Sequence, residues 1–124
     1  MAKKKILLVD DEVIITRTLK VYLDGTGSYE VRAENDPTKA LKAARDFKPD
    51  LILLDVVMPD LEGGQVAEQI RGDEALKATP IIFLTSLVQR EEVRQSGGHI
   101  GGFPFLAKPI DPALVIEVIE SVLG

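Results

Sequence analysis

Five short apolar runs recur along the chain, and apolar residues at helical spacing fill the segments between and after them. The first run, Ile6-Leu7-Leu8-Val9, is continuous rather than alternating, so it reads as a strand covered on both faces. Residues 29–33 form the second run, 51–54 the third and most apolar, 81–84 the fourth and 103–107 the fifth. Val13, Ile14, Leu19, Val21, Tyr22 and Leu23 mark a first helix, which Gly25 ends. Asp36-Pro37 is a cap followed by a proline at the first helical position. Ala40, Leu41, Ala44 and Phe47 then supply a buried stripe, and Pro49 closes that helix. Val66, Ala67 and Ile70 mark a third helix, ending near Gly72, and a more polar fourth starts near Gln89. Asp111-Pro112 repeats the cap signal ahead of a last buried face of Leu114, Val115, Val118, Ile119 and Val122.

Five strands alternating with five helices predict an α/β fold, a parallel sheet with helices on both faces. Each crossover between parallel strands needs a helix and is right-handed. No repeat or linker interrupts the pattern, so residues 1–124 read as one domain. Ligands of such sheets bind beyond the carboxyl ends of the strands. Asp10 and Asp11 follow the first strand, Asp55 the third, Thr85 the fourth and Lys108 the fifth.

That placement brings three negative charges to one edge, with a single lysine against them. Crowding alone would raise at least one carboxylate pKa. Mg²⁺ would offset the charge, because it takes oxygen ligands, commonly one or two carboxylates with several waters. Phosphoryl transfer needs such a cation, an in-line nucleophile and further donors. A carboxylate is a competent nucleophile, and Asp55, ending the most buried strand, is the natural one. Asp10 and Asp11 suit the metal, Lys108 supplies a point positive charge, and Thr85 a hydroxyl donor.

Composition narrows the alternatives. The formal net charge of -5 argues against nucleic acid, which needs a concentrated basic surface. Lys3-Lys4-Lys5 reads as a solvated strand end. The chain has no cysteine, so disulfides and thiolate metal sites are excluded, in keeping with a reducing compartment. Asp10 breaks the first apolar run too early for a signal-peptide core, and no run is long enough to span a bilayer. The expected location is the cytoplasm.

Four stretches carry a resemblance to the receiver domain of bacterial two-component response regulators. They are Ile6-Leu7-Leu8-Val9-Asp10-Asp11-Glu12, Pro49-Asp50-Leu51-Ile52-Leu53-Leu54-Asp55-Val56-Val57-Met58-Pro59, Phe83-Leu84-Thr85-Ser86 and Phe105-Leu106-Ala107-Lys108-Pro109. The resemblance implies a doubly wound, flavodoxin-like receiver fold with strand order 2-1-3-4-5. It implies that Asp55 is the phosphoacceptor, taking phosphate from a phosphohistidine of a sensor histidine kinase or a histidine phosphotransfer protein. Asp11, Asp55 and the carbonyl of Val57 would bind Mg²⁺ directly, and Asp10 through a water. Thr85 and Phe105 would be the switch residues, Lys108 the lysine of the site, and Gly63 the glycine before the third helix. The domain would act as a signal receiver rather than an enzyme, passing its state to a protein target or an output domain. The chain stops just after its last helix, as a single-domain regulator or a fragment would.

Other functions use the same residues less well. A Mg²⁺-dependent aspartyl phosphatase of the haloacid-dehalogenase type carries its nucleophile after the first strand in an Asp-x-Asp pattern. Here that strand ends in adjacent aspartates. A flavin binder needs glycines and hydroxyls where Asp10-Asp11-Glu12 stands. A degenerate receiver serving only as a binding module would have no use for the complete acidic set and Lys108.

Three departures from the usual family pattern bear on function. The switch aromatic is Phe105 rather than tyrosine, so its ring has no hydroxyl to stabilise either position. Gly97-Gly98-His99-Ile100-Gly101-Gly102 predicts a short fourth helix over 89–95 and then a glycine loop that is mobile or partner-specific, because glycine costs about 1 kcal/mol against alanine inside a helix. His99 there reads as a solvent-exposed residue, with no second ligand at metal-binding spacing. Val57 and Leu87, two residues beyond Asp55 and Thr85, are apolar where relatives often carry polar groups that assist hydrolysis. They predict a long-lived acyl phosphate. In Mg²⁺ buffer, Val57→Asn is expected to speed loss of phosphate from the phosphorylated chain, and equal decay rates would refute the shielding.

Overall fold

The computed structural model describes residues 3–56, 58, 63–85, 99–100, 103–108 and 110–123. The strands are β1 (Lys4–Val9), β2 (Tyr29–Glu34), β3 (Leu51–Asp55), β4 (Ile81–Thr85), β5 (His99–Ile100) and β6 (Phe103–Ala107). The helices are α1 (Val13–Gly25), α2 (Ala40–Phe47), α3 (Gly63–Arg71) and α4 (Pro112–Leu123). The sheet order is β2-β1-β3-β4-β6-β5. The five expected strands are all parallel and lie in the order 2-1-3-4-5. The added β5 pairs antiparallel with β6, joining Ile100 to Phe103. Part of the expected glycine loop is therefore a short edge strand, while Gly97, Gly98, Gly101, Gly102 and the helix expected over 89–95 lie outside the described residues.

Alternation along β1 divides the core. Ile6 and Leu8 pack with Leu19, Leu23, Val115 and Ile119 under α1 and α4. Leu7 and Val9 pack with Ala40, Ala44, Val66 and Ile70 under α2 and α3. Both faces of the sheet are thus covered, which is why β1 and β3 are continuous apolar runs. Every residue of β3 is buried. Each strand side chain of this size contributes about 1.5–3 kcal/mol by leaving water.

The local signals act as capping physics requires, with three differences. Asp36 Oδ1 accepts the Thr38 N–H at 2.9 Å, but the turn it starts is a 3-10 turn, Pro37–Lys39, before α2 proper. That helix ends at Lys48 in the left-handed conformation (φ 54°), one residue before Pro49. Asp111 Oδ1 accepts the Ala113 N–H at 3.1 Å, and α4 follows. Leu114, expected in its buried face, is 38% exposed. Four of the apolar residues that marked α1 also face out, Ile14 being 79% exposed, and buried Thr16 takes a place the apolar count passed over. No described helix is long and apolar enough to cross a membrane.

Two adjacent glycines meet opposite surroundings at the start of α3. Gly63 N–H donates to the Val56 carbonyl at 2.9 Å, and a Cβ on Gly63 would collide with the Asp55 carbonyl and lie 2.8 Å from Val56 Cα. A Cβ on Gly64 would meet nothing within 4 Å. Gly63→Ala is therefore expected to destabilise by about 1–3 kcal/mol. Gly64→Ala should stabilise by up to about 1 kcal/mol. Urea denaturation of both variants checks the opposite signs.

Candidate functional site

Five segments meet at the carboxyl edge of the sheet. Asp10 is the residue after β1, and its N–H extends the ladder by donating to the Glu34 carbonyl at 3.2 Å. Its Oδ1 accepts the Glu12 N–H at 2.9 Å, which folds the acidic turn back on itself. Asn35 reaches in from the loop after β2, donating to the Asp10 carbonyl at 2.8 Å and the Thr16 hydroxyl oxygen at 2.9 Å. Thr16 in turn donates to the Val13 carbonyl at 3.1 Å. Asp55 is the last residue of β3, in register with Leu84. Thr85 ends β4 and is buried. Lys108 follows β6, and its N–H donates to the Thr85 carbonyl at 2.8 Å.

Carboxylate oxygens of Asp10, Asp11 and Asp55 lie within 4.8 Å of one another. Lys108 Nζ sits 2.9 Å from Asp10 Oδ2, 3.2 Å from Asp55 Oδ1 and 2.9 Å from Glu12 Oε1. Burial, helped by the Asp10 charge, pushes the Asp55 carboxyl up to about 6 against the pull of Lys108. Burial also raises Asp10, offset in part by the Glu12 N–H and Lys108. Crowding was the expected cause of such a shift, and loss of water proves the larger one. Burial alone would lower the Lys108 pKa, but Glu12, Asp10 and Asp55 outweigh it and drive it upward.

The donor set is all oxygen, which suits a hard divalent cation. Asp10 Oδ2 touches the ammonium as an ion pair yet receives no directed hydrogen bond, and it is buried. A buried carboxylate oxygen in that condition fits a cation.

The structure brings together Asp10, Asp11, Asp55 and Lys108, with Thr85 at the end of the neighbouring strand. Phe105 is buried two residues before Ala107 and stands opposite Phe83. Met58 packs in the α2–α3 core. Val57 and Leu87 lie outside the described residues. Glu12, Thr16 and Asn35 belong to the site without having been anticipated. Glu12 was visible as the third acid of a run, whereas nothing local in the sequence couples Asn35 to a turn 25 residues earlier.

Residues 6–120 match the family described as response regulator receiver domain. The chain is 38% identical over 120 residues to the alkaline phosphatase synthesis transcriptional regulatory protein PhoP of Bacillus subtilis, covering 97% of this chain and 48% of PhoP. It therefore spans about half the length of that relative. It is 30% identical to the polar-differentiation response regulator DivK of Brucella anthropi, covering 98% of this chain and 97% of DivK. Among solved structures, chemotaxis protein CheY4 of Vibrio cholerae matches with a TM-score of 0.84 and 33% identity, over 98% of this chain and 100% of that one. The receiver domain of a sensor histidine kinase from Pseudomonas aeruginosa, solved with a magnesium ion in its active-site cleft, matches with a TM-score of 0.82 and 28% identity, over 99% of each chain. The chain belongs to the response regulator receiver family.

The raised Asp55 pKa has a signed consequence. The unfolded chain loses this proton near pH 3.8 and the folded one near 6, so stability falls as pH rises between them. Without metal, Asp55→Asn is expected to stabilise the chain at pH 7.5 by on the order of 2 kcal/mol. That gain should shrink toward pH 4. Thermal melts at both pH values, in chelator, check it.

Proposed function

We propose that Asp55 accepts a phosphoryl group from a phosphohistidine on a sensor histidine kinase or a histidine phosphotransfer protein. An Asp55 oxygen forms the new bond to phosphorus as the phosphorus–nitrogen bond breaks. The electron pair of that bond returns to the imidazole nitrogen, which takes a proton. Asp10, Asp11 and Asp55 would hold Mg²⁺, which would supply positive charge against the phosphoryl oxygens. Lys108 balances the product's charge, and Thr85 donates its hydroxyl hydrogen to a phosphoryl oxygen. One observation carries this reading: the carboxylate of Asp55 lies 3.2 Å from the Lys108 ammonium, beside two further carboxylates, at one sheet edge.

Phosphorylation takes the Asp55 side chain from a charge of -1 to about -2 and adds acceptor oxygens. Those oxygens favour the arrangement that brings Thr85 and Lys108 nearest, and the packing of Phe105 follows it. The readout is a protein contact, made with a separate target or an attached output domain, in the cytoplasm. The chain acts as a switch rather than as a catalyst on an external substrate.

Incubation with acetyl phosphate and Mg²⁺ should add the mass of one phosphoryl group to the wild type and none to Asp55→Ala. A gain that survives the substitution overturns the assignment. Sustained turnover of a small phosphate ester would instead make the chain a phosphatase.

A further inference from the structure

Glu12 stands apart from the other partners of Lys108. Its carboxylate side chain is 58% exposed, whereas the lysine side chain is only 9% exposed and Asp10 and Asp55 are buried. It occupies the N-cap position of α1, yet its side chain makes no capping hydrogen bond. Instead its Oε1 accepts a hydrogen bond from Lys108 Nζ at 2.9 Å, across 96 residues of sequence.

An ammonium group has three N–H donors. Here three carboxylates already surround it. Phosphorylation turns the Asp55 carboxylate into an acyl phosphate and presents phosphoryl oxygens farther out in its place, and these compete for the directed hydrogen bond that the ammonium now gives to Glu12. Releasing a buried carboxylate would leave a charge unpaired away from water, which is strongly unfavourable. Releasing an exposed one costs little, because water replaces the ammonium.

We infer that Glu12 is a competing partner that holds Lys108 in the unphosphorylated chain and gives it up to the phosphoryl group. This inference rests on the receiver reading above and adds a positioning residue to it. Glu12 acts through Lys108. The strength of its contact therefore sets part of the affinity of the site for a phosphoryl group. The contact also ties the start of α1 to the loop after β6, so phosphorylation would untie them.

The probe is beryllofluoride, a phosphoryl analogue, titrated in saturating Mg²⁺ and followed by fluorine NMR. Glu12→Gln is expected to tighten binding by about two- to fivefold, the range of an exposed ion pair. Glu12→Asp keeps the charge but is one methylene short of the lysine, and should tighten it similarly. In a Lys108→Ala background neither change should matter. Equal affinity of Glu12→Gln and wild type overturns the inference. So does equal tightening with and without Lys108, which would mean simple charge repulsion. Should the Lys108→Ala proteins bind too weakly to measure, Glu12→Asp decides, and wild-type affinity there overturns it. A wild type that binds no beryllofluoride removes the receiver reading itself. A wild type that binds with no Glu12 effect removes only this inference.

Discussion

The Lys108 ammonium lies within 3.2 Å of three carboxylates, and the carboxyl edge of the sheet is organised around that contact. Its backbone N–H donates to the Thr85 carbonyl, which ties the positive charge to the hydroxyl-bearing strand end. One cation cannot neutralise the acids that face it. The remainder appears as the raised pKa of Asp55 and Asp10 and as a buried oxygen on Asp10 without a directed hydrogen bond. The site is thus held short of positive charge by its own geometry. A divalent cation would supply what is missing, and a phosphoryl group, on the function proposed above, would then re-divide the lysine among its partners.

The rest of the molecule keeps this arrangement in place. Two apolar layers clamp the sheet from both sides, so strand ends have little freedom to shift. Asn35 and Thr16 fasten the acidic turn from the side, and Gly63 lets the start of α3 approach the backbone of Asp55 more closely than any larger residue would. Several of these supports are single atoms, a missing methyl or an amide hydrogen. Their effect is on distances rather than on total burial.

Most of the architecture was legible in the sequence, because continuous aliphatic runs and regular capping pairs leave few alternatives. The acids and the lysine were legible too, each being placed by its strand. What escaped has a common cause. Ile14 and Leu114 are as apolar as Leu19 and Val115, and only the final packing decides which of them turns outward. Asn35 and Glu12 act on partners brought near by folding, 25 and 96 residues away. The edge strand at His99–Ile100 lies among glycines, where local propensity speaks against it and pairing with β6 prevails.

The burial of Asp55 bears on folding as well as on chemistry. The four residues before it in β3 are all leucine or isoleucine, and both faces they reach are apolar. A slip of one residue would exchange aliphatic for aliphatic, so packing alone distinguishes the registers weakly. Asp55 breaks that near-equivalence. Pulled one place inward it would put a carboxylate between Val9 and the interior of β4, away from Lys108. The residue that makes the native sheet less stable than its core would allow also makes it singular. It is the mark by which an otherwise ambiguous strand finds its end.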